Sequence, residues 1–439
     1  MKTQSTGPDL AISDQYPPPL SHAVTGHVHR TPTQEIPHVG RISRVMGRWL
    51  APWLLAGRAA VEISNGTREE VQESHRTKAA NGPRLVVWDD RALGAALRYG
   101  SRGLGWGYIA GWWDSDDPVG LVATLASRIE PVRKRIDALF DRLAPLLDLF
   151  GYLNKPGPAE DRKAIRAHYD LPEIIFRAML DETLTYSCAV FDPLELDLVA
   201  AQREKFDRLL DPLDLNHRKH LLEIGTGWGS LAIYAARTRD CKVTTTTVSV
   251  AQELAAREEV DKQGLSEQVE VLGSDWRDLD GRFDALVSVE MIEAVDWRNH
   301  KAFFTKCRGL LHDEGRMTMQ AIVIDEAAEA RARHRPDFIR AQVFPNSCIP
   351  SLSRLLHLAG KAGLQAMQIT DIGHHYVETL KRWRSNLDEA SNTLIASGID
   401  FSLVRMFQFY LAYCQAAFEL RHISDVQIVF VPKPLTARR

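Results

Sequence analysis

Leu221-Leu222-Glu223-Ile224-Gly225-Thr226-Gly227-Trp228-Gly229 is the stretch of this chain whose residue types and spacing could do chemistry. An apolar run ends in alternating glycines and passes into Ser230-Leu231-Ala232, the start of an Ala/Leu-rich periodic segment. That pattern reads as strand, tight turn and helix. Glycines at 225, 227 and 229 let the backbone approach a ligand, and the helix N-terminus offers unpaired N–H groups. Such a turn holds a nucleotide-like cofactor at the carboxyl end of the first strand of a doubly wound α/β sheet. A dinucleotide would call for Asp or Glu about 20 residues further on, at the end of the second strand. Here that strand reads Val243-Thr244-Thr245-Thr246-Thr247-Val248-Ser249, without an acid, and the glycines follow G-x-G-x-G rather than G-x-G-x-x-G. The other user of an E-x-G-x-G-x-G turn is S-adenosylmethionine, whose amino-acid part sits against the glycines. The bland alternative is a turn that only packs helix on strand. Five cysteines (188, 241, 307, 348 and 414) show neither C-x-x-C nor His/Cys ligand spacing, so neither a disulfide framework nor a metal site is expected.

A sheet must position this turn. Strands are predicted near 219–225, 241–248, 268–274, 283–290, 315–324, 364–373 and 425–432, with helical patterns between them. Seven strands in this order, the last entering after long helices, suit an α/β methyltransferase-type sheet better than a dinucleotide-binding one. At 439 residues the chain exceeds a typical single core, so two domains are expected. Residues 1–40, with prolines at 8, 17, 18, 19, 32 and 37, read as a disordered lead. Residues 41–150 read as a smaller N-terminal α/β domain and 151–165, around Lys155-Pro156-Gly157-Pro158, as a linker. The catalytic domain is expected over 166–433, with 434–439 as a tail.

In the N-terminal part, Ile42, Val45, Met46, Trp49 and Trp53 fall at helical spacing, with Arg41, Arg44 and Arg48 on another face. This is either a core helix with a solvated basic side or a helix resting on an anionic membrane. Val61–Gly66 looks like a strand into a turn, Arg84–Trp88 like its partner, and a helix is predicted over Asp90–Tyr99. Gly103–Asp114, dense in glycine and aromatic residues, is either a tightly packed turn or the lining of an apolar groove for a chain-like substrate. Residues 120–149 read as helices, with Ile136, Leu139, Phe140, Leu143 and Leu147 on one side and arginines elsewhere. Hydrophobic content of 45% and charged content of 25% are those of a globular protein. A net charge of −3 argues against general nucleic-acid binding. Its distribution is uneven, because residues 41–150 hold 16 Lys+Arg against 13 Asp+Glu. No apolar run reaches the roughly 18 residues of a membrane span, and Met1-Lys2-Thr3-Gln4-Ser5 lacks the apolar core of a signal peptide. A cytoplasmic location is therefore expected.

Other motifs flank the glycine turn. Before it stand His168-Tyr169-Asp170 and Leu184-Thr185-Tyr186-Ser187-Cys188-Ala189-Val190-Phe191. After it come Asp275-Trp276-Arg277-Asp278 and Val289-Glu290-Met291-Ile292-Glu293-Ala294-Val295 at strand ends, then Phe344-Pro345. Together with Gly107-Tyr108-Ile109-Ala110-Gly111-Trp112-Trp113, this ordered set resembles the cyclopropane fatty acid synthase family of S-adenosylmethionine-dependent enzymes, over roughly residues 41–433.

The resemblance implies a class I S-adenosylmethionine methyltransferase fold, a Rossmann-like seven-stranded sheet, with a lipid-side N-terminal domain. It implies methyl transfer to a cis double bond in an acyl chain of a membrane phospholipid, by an enzyme peripherally associated with the inner face of the membrane. A homodimer is one assembly it leaves open. Such a π bond is a poor nucleophile, so the donor must be a sulfonium and the pocket must exclude water. Attack leaves a carbocation on the chain. Loss of a proton from the new methyl closes a cyclopropane ring, whereas a hydride shift and loss of a neighbouring proton gives a methylene branch. The family's proton acceptor is a bicarbonate ion, and its cradle maps onto Cys188, Glu293, Ile322 and Tyr376, with Cys188 and Ile322 contributing backbone groups. Glu293 would orient the ion, and Tyr376 would donate to it or face the cation with its π cloud. Where the family has His two residues before the Ile, this chain has Gln320, which donates a hydrogen bond but carries no charge. That departure leaves ring and branch both open as products. For the cofactor, the resemblance puts Gly225 and Gly227 by the methionine part, Tyr186 and Ser187 near its carboxylate, Thr247 and Gln252 at the ribose and Trp276 along the adenine.

Overall fold

The computed structural model describes residues 39–40, 44–45, 59–63, 82–153, 172–345 and 347–433, with the backbone alone for 63 and 150–153. All but the last two residues of the predicted lead, the tail, most of the basic helix at 41–53, most of the linker and His168-Tyr169-Asp170 lie outside these residues.

The N-terminal part contains β1 (Ala60–Ile63), β2 (Arg84–Val87), α1 (Arg91–Tyr99), α2 (Ser101–Ile109), β3 (Trp113–Ser115) and α3 (Pro118–Leu153). Strand β2 pairs in parallel with β1 and antiparallel with β3. The Gly/aromatic stretch is a helix for most of its length rather than a turn. Its glycines serve close packing: a Cβ on Gly103 would sit 1.9 Å from the Ala95 carbonyl oxygen of the preceding helix, and one on Gly105 would sit 2.2 Å from the Phe338 ring. Only at Gly111, with φ +68°, does the chain turn toward β3.

The larger part contains α4 (Glu173–Met179), α5 (Leu198–Leu210), β4 (His220–Ile224), α6 (Ser230–Arg239), β5 (Lys242–Thr246), α7 (Val250–Lys262), β6 (Val269–Leu272) and β7 (Phe283–Val289). There follow α8 (His300–Leu310), β8 (Leu311–Ile324), α9 (Glu329–His334), α10 (Leu352–Lys361), β9 (Leu364–Asp371), α11 (Gly373–Ala396), α12 (Phe401–Glu419) and β10 (Ile423–Pro432). All seven predicted strands are present, in the order β6-β5-β4-β7-β8-β10-β9. Strands β4 to β8 run parallel, and β10 enters antiparallel between β8 and β9. Leu221, Leu222, Glu223 and Ile224 are all buried, because a central parallel strand is covered on both faces and so reads as a continuous apolar run. The strand order reverses at β4, so its carboxyl end is where a doubly wound sheet opens a crevice.

The two parts share a core. Trp113 and Tyr108 pack against Phe409 of α12, with ring centroids 5.9 and 5.4 Å apart. The buried Arg405 donates to the Tyr108 and Trp113 carbonyls at 2.6 and 3.1 Å and to Asp114 at 3.2 Å. Helix α3 is turned the unusual way round. Its Asp137 and Asp148 reach inward to Arg331, and to Arg333 and His334 at 2.9 and 2.7 Å. Ile129, Val132, Leu139, Leu143, Leu146 and Leu149 remain between 44 and 60% exposed.

Candidate active site

At the end of β4, Gly225 adopts φ +100° and Gly227 φ +53°, conformations in which L side chains are strained. The Gly225 and Thr226 amides both donate to the Thr246 carbonyl, at 3.1 and 2.9 Å, tying the turn to the tip of β5. A Cβ on Gly225 would press on Met291 at 3.1 Å, whereas one on Gly227 would meet nothing within 4 Å. The turn thus presents bare backbone to a cleft. Ser249 caps α7 by accepting from the Gln252 amide at 3.3 Å. That cap sets Gln252 beside Thr247, whose hydroxyl donates to Gln252 Oε1 at 2.8 Å. Trp276 lies edge-on to Phe303. The Tyr186 hydroxyl donates to that of Tyr410 at 2.9 Å.

Tyr186, Ser187, Gly225, Gly227, Thr247, Gln252 and Trp276 all line this one cleft. Sequence reasoning missed two further residues on its floor. Lys205, fully buried, donates to Ser187 Oγ at 2.7 Å, and burial pulls its ammonium down to about 8. Glu223 accepts from the Thr245 hydroxyl at 2.5 Å, and burial pushes its carboxyl up to about 7. Bare glycine backbone, a flat indole and the Thr247–Gln252 pair fit an S-adenosyl group. The sulfonium supplies an electrophilic methyl when bound.

Behind the cleft lies a cluster of acids. Glu290 follows β7 and lines the cleft with Met291. Its Oε1 accepts from the Cys188 amide and from Gln320 Nε2, both at 2.8 Å, and its Oε2 accepts from the Tyr376 hydroxyl at 2.6 Å. The antiparallel entry of β10 sets Gln427 opposite Gln320 and Asp425 opposite Ile322. Gln427 Nε2 accordingly donates to Gln320 Oε1 at 3.0 Å, which points the Gln320 amide nitrogen at Glu290 and, at 3.0 Å, at Asp425 Oδ2. Gly373 lets the start of α11 abut β10, since a Cβ there would lie 2.1 Å from Ser424 Oγ. Tyr376, one turn on, is thereby delivered to Glu290. Glu293 Oε1 accepts from the Ile322 amide, and burial with the neighbouring Glu290 pushes its carboxyl up to about 8. Burial, followed by Glu290 and Glu293, holds Asp425 well above the usual carboxylate range.

Cys188, Gln320 and Tyr376 therefore converge, while Glu293 and Ile322 form a separate hydrogen bond beside them. The point of convergence is Glu290, which sequence reasoning passed over although it stands three residues before Glu293 at a strand end that faces the cleft. Asp425 carried no local signal at all. Cys188 is fully buried, and burial pushes its thiol well up, so its contribution is its amide. The bicarbonate expectation needs correcting. Its Cys188 and Tyr376 donors are already held by the Glu290 carboxylate, and a second anion beside that carboxylate would meet a like charge. The residues as arranged do not fit the ion.

Residues 158–428 match the mycolic acid cyclopropane synthetase family. A tuberculostearic acid methyltransferase of Mycobacterium tuberculosis is 35% identical over 79% of this chain and 82% of its own. The cyclopropane-fatty-acyl-phospholipid synthase of Escherichia coli K12 is 31% identical over 76% of this chain and 84% of its own. A mycolic acid cyclopropane synthase complexed with SAH and CTAB superposes with a TM-score of 0.58 at 27% identity, over 61% of this chain and 97% of that one.

Proposed function

The chain belongs to the mycolic acid cyclopropane synthetase family and is an S-adenosylmethionine-dependent methyltransferase of lipid acyl chains; from that premise we propose that it methylates a cis double bond of a membrane phospholipid and closes a cyclopropane ring. The observation that carries this reading is the meeting of two constellations at the carboxyl edge of β4 and β7. One is a bare-backbone cofactor turn, and the other is a hydrogen-bonded acid whose carboxylate borders the same cleft. The turn orients the donor. The aromatic wall of Tyr186 and Trp228, backed by Phe176 at centroid distances of 5.4 and 6.0 Å, keeps water from a cation that water would quench.

A second product is favoured by one specific residue. Gln320 replaces the family's His, and the relative at 35% identity is a tuberculostearic acid methyltransferase. On this reading the same cation undergoes a hydride shift and loses a proton from the new methyl, leaving a methylene branch.

Contact with the bilayer surface is part of the proposal. Its support is the outward apolar stripe of α3, flanked by the exposed Lys134, Arg135 and Arg142, a composition suited to an anionic lipid surface. No helix among the described residues is long and apolar enough to cross a membrane. The division into a lipid-side part (41–150) and a catalytic part (166–433) belongs to the same reading.

The test is incubation of the purified protein with S-adenosylmethionine and oleoyl phospholipid vesicles, with mass spectrometry and gas chromatography of the acyl chains. Gain of one CH₂ without an alkene marks the ring, and the same gain with a terminal methylene marks the branch. No gain overturns the proposal. Leu139→Asp with Leu143→Asp should weaken sedimentation with anionic vesicles several-fold. If those changes instead dissociate a dimer and leave vesicle binding intact, the stripe joins two copies of the chain.

A further inference from the structure

A carboxylate and a bicarbonate show hydrogen-bond donors the same face: coplanar oxygens sharing one negative charge. The cradle expected for the ion in this chain is filled from within. Cys188 N–H and Gln320 Nε2 hold one oxygen of Glu290, and the Tyr376 hydroxyl holds the other. We infer that Glu290 is the catalytic base of this enzyme, its carboxylate standing where relatives are expected to hold bicarbonate. The inference rests on the methyl-transfer reading above and deepens it.

Position is the first argument. Glu290 lines the cleft together with Gly225, Trp276 and Met291, so its carboxylate borders the space where the methyl must change hands. The second is the backbone. Glu290 has φ +46°, a left-handed conformation that glycine adopts freely and a glutamate does not. Such strain persists where the surroundings over-determine it, commonly at working sites. Three donors from β8, from α11 and from the segment before α5 supply that determination.

Division of charge is the third argument. Burial, with Glu290 beside them, pushes the carboxyls of Glu293 and Asp425 above the usual carboxylate range, Glu293 to about 8. Of the three acids, the one that receives three donors and lines the cleft is Glu290. Gln320 fits this arrangement better than a His would. As a neutral donor fixed by Gln427, it holds the Glu290 carboxylate without adding a group that competes for the proton.

The step balances without a co-reactant. The double bond takes the methyl carbon, a C–C bond forms as the C–S bond breaks, and the positive charge passes to the adjacent acyl carbon. Glu290 accepts one proton from the new methyl. The electron pair of that C–H bond closes the ring, or forms the methylene double bond after a hydride shift. Glu290, now a carboxylic acid, returns the proton to water after product leaves.

Two readouts test this, one of them independent of turnover. In the first, ¹³C-labelled bicarbonate is titrated into the cofactor-bound protein and followed by NMR. Wild type should show no bound signal, whereas Glu290→Gly, which empties the cradle, should bind the ion. In the second, lipid methylation is measured in buffer stripped of CO₂ and again with added bicarbonate. Wild type should be indifferent. Glu290→Gly should fall by about 100-fold or more and recover with bicarbonate. Glu290→Gln, which keeps the shape and fills the cradle with an amide, should fall equally and not recover. Bound labelled bicarbonate in wild type, or loss of wild-type turnover on stripping, overturns the inference and leaves the methyl-transfer reading intact. If wild type yields no product under either condition, that reading fails instead, and the labelled-ion titration still decides whether Glu290 fills the cradle. Should Glu290→Gly not fold, bicarbonate binding to wild type and the unrescued loss in Glu290→Gln decide it.

Discussion

On the cofactor side of the cleft the framework is backbone and local: the turn from Gly225 to Gly227 at the end of β4 is tied to the neighbouring tip of β5 by the Gly225 and Thr226 amides. On the acid side it is made of groups drawn from distant points, with the Cys188 amide and the side chains of Glu290, Gln320, Tyr376 and Asp425 meeting from five separate segments of the chain. The first kind of site depends on φ angles and on the absence of Cβ atoms. The second depends on buried polar atoms each finding a partner, and in a low-dielectric interior one unmet group is costly. The glycine side should therefore fail through geometry and the acid side through charge.

The largest effect is expected from breaking the geometric side. Valine at 225 would have to hold φ near +100° with its Cβ pressed on Met291. Strain of that kind costs about 1–3 kcal/mol, so Gly225→Val should unfold at lower temperature and show no cofactor binding by calorimetry. Normal cofactor affinity in that variant would mean that side chains, not backbone, hold the cofactor. Next in size is Tyr376→Phe, which leaves Glu290 Oε2 without its donor. A hydrogen bond to a charged group is worth about 1.5–3 kcal/mol, so kcat should drop by roughly 10- to 100-fold with the cofactor Kd unchanged. A drop in cofactor affinity instead would join the two sides into one site.

This contrast also explains what could be read before folding. All seven strands of the large sheet were legible because a buried parallel strand writes itself as an apolar run bounded by turn residues, as Leu221–Ile224 and Phe283–Val289 do. The seven residues around the cofactor cleft were legible because most lie at the carboxyl ends of those strands. The turn reading of 103–114 failed because its glycines suggest one, whereas Gly103 and Gly105 are small for the sake of Ala95 and Phe338, contacts that exist only after folding. Asp425 was invisible for a related reason. Only the antiparallel register of β10 against β8 puts it opposite Ile322, and no spacing in the chain encodes that register. Lys205 carried no signal of its own, because only the docking of its helix sets its amine against Ser187. Glu290 was in view, but its left-handed backbone and its three donors were not.

Glu293 gives the smallest and most discriminating effect. With its carboxyl pushed up to about 8 by burial, it is protonated at pH 7, and Gln reproduces a protonated Glu in both shape and charge. Glu293→Gln should therefore keep kcat within about tenfold of wild type, in contrast to the collapse expected for Glu290→Gln. Its stability should differ from wild type in a pH-dependent way. The folded value of about 8 lies above the ordinary 4.5, so between those pH values the folded chain holds a proton that the unfolded chain has lost. The stability contributed by this group is fully present below about pH 4.5 and is lost as pH rises to about 8, at up to roughly 1.4 kcal/mol per pH unit. Glu223 drifts in the same direction in both proteins and cancels from the difference. Chemical unfolding of the pair from pH 5 to 8 should thus show wild type losing ground to Glu293→Gln. A flat difference, with turnover abolished in Glu293→Gln, would make Glu293 the anion of the cluster and return the proton-accepting role to that side of the site.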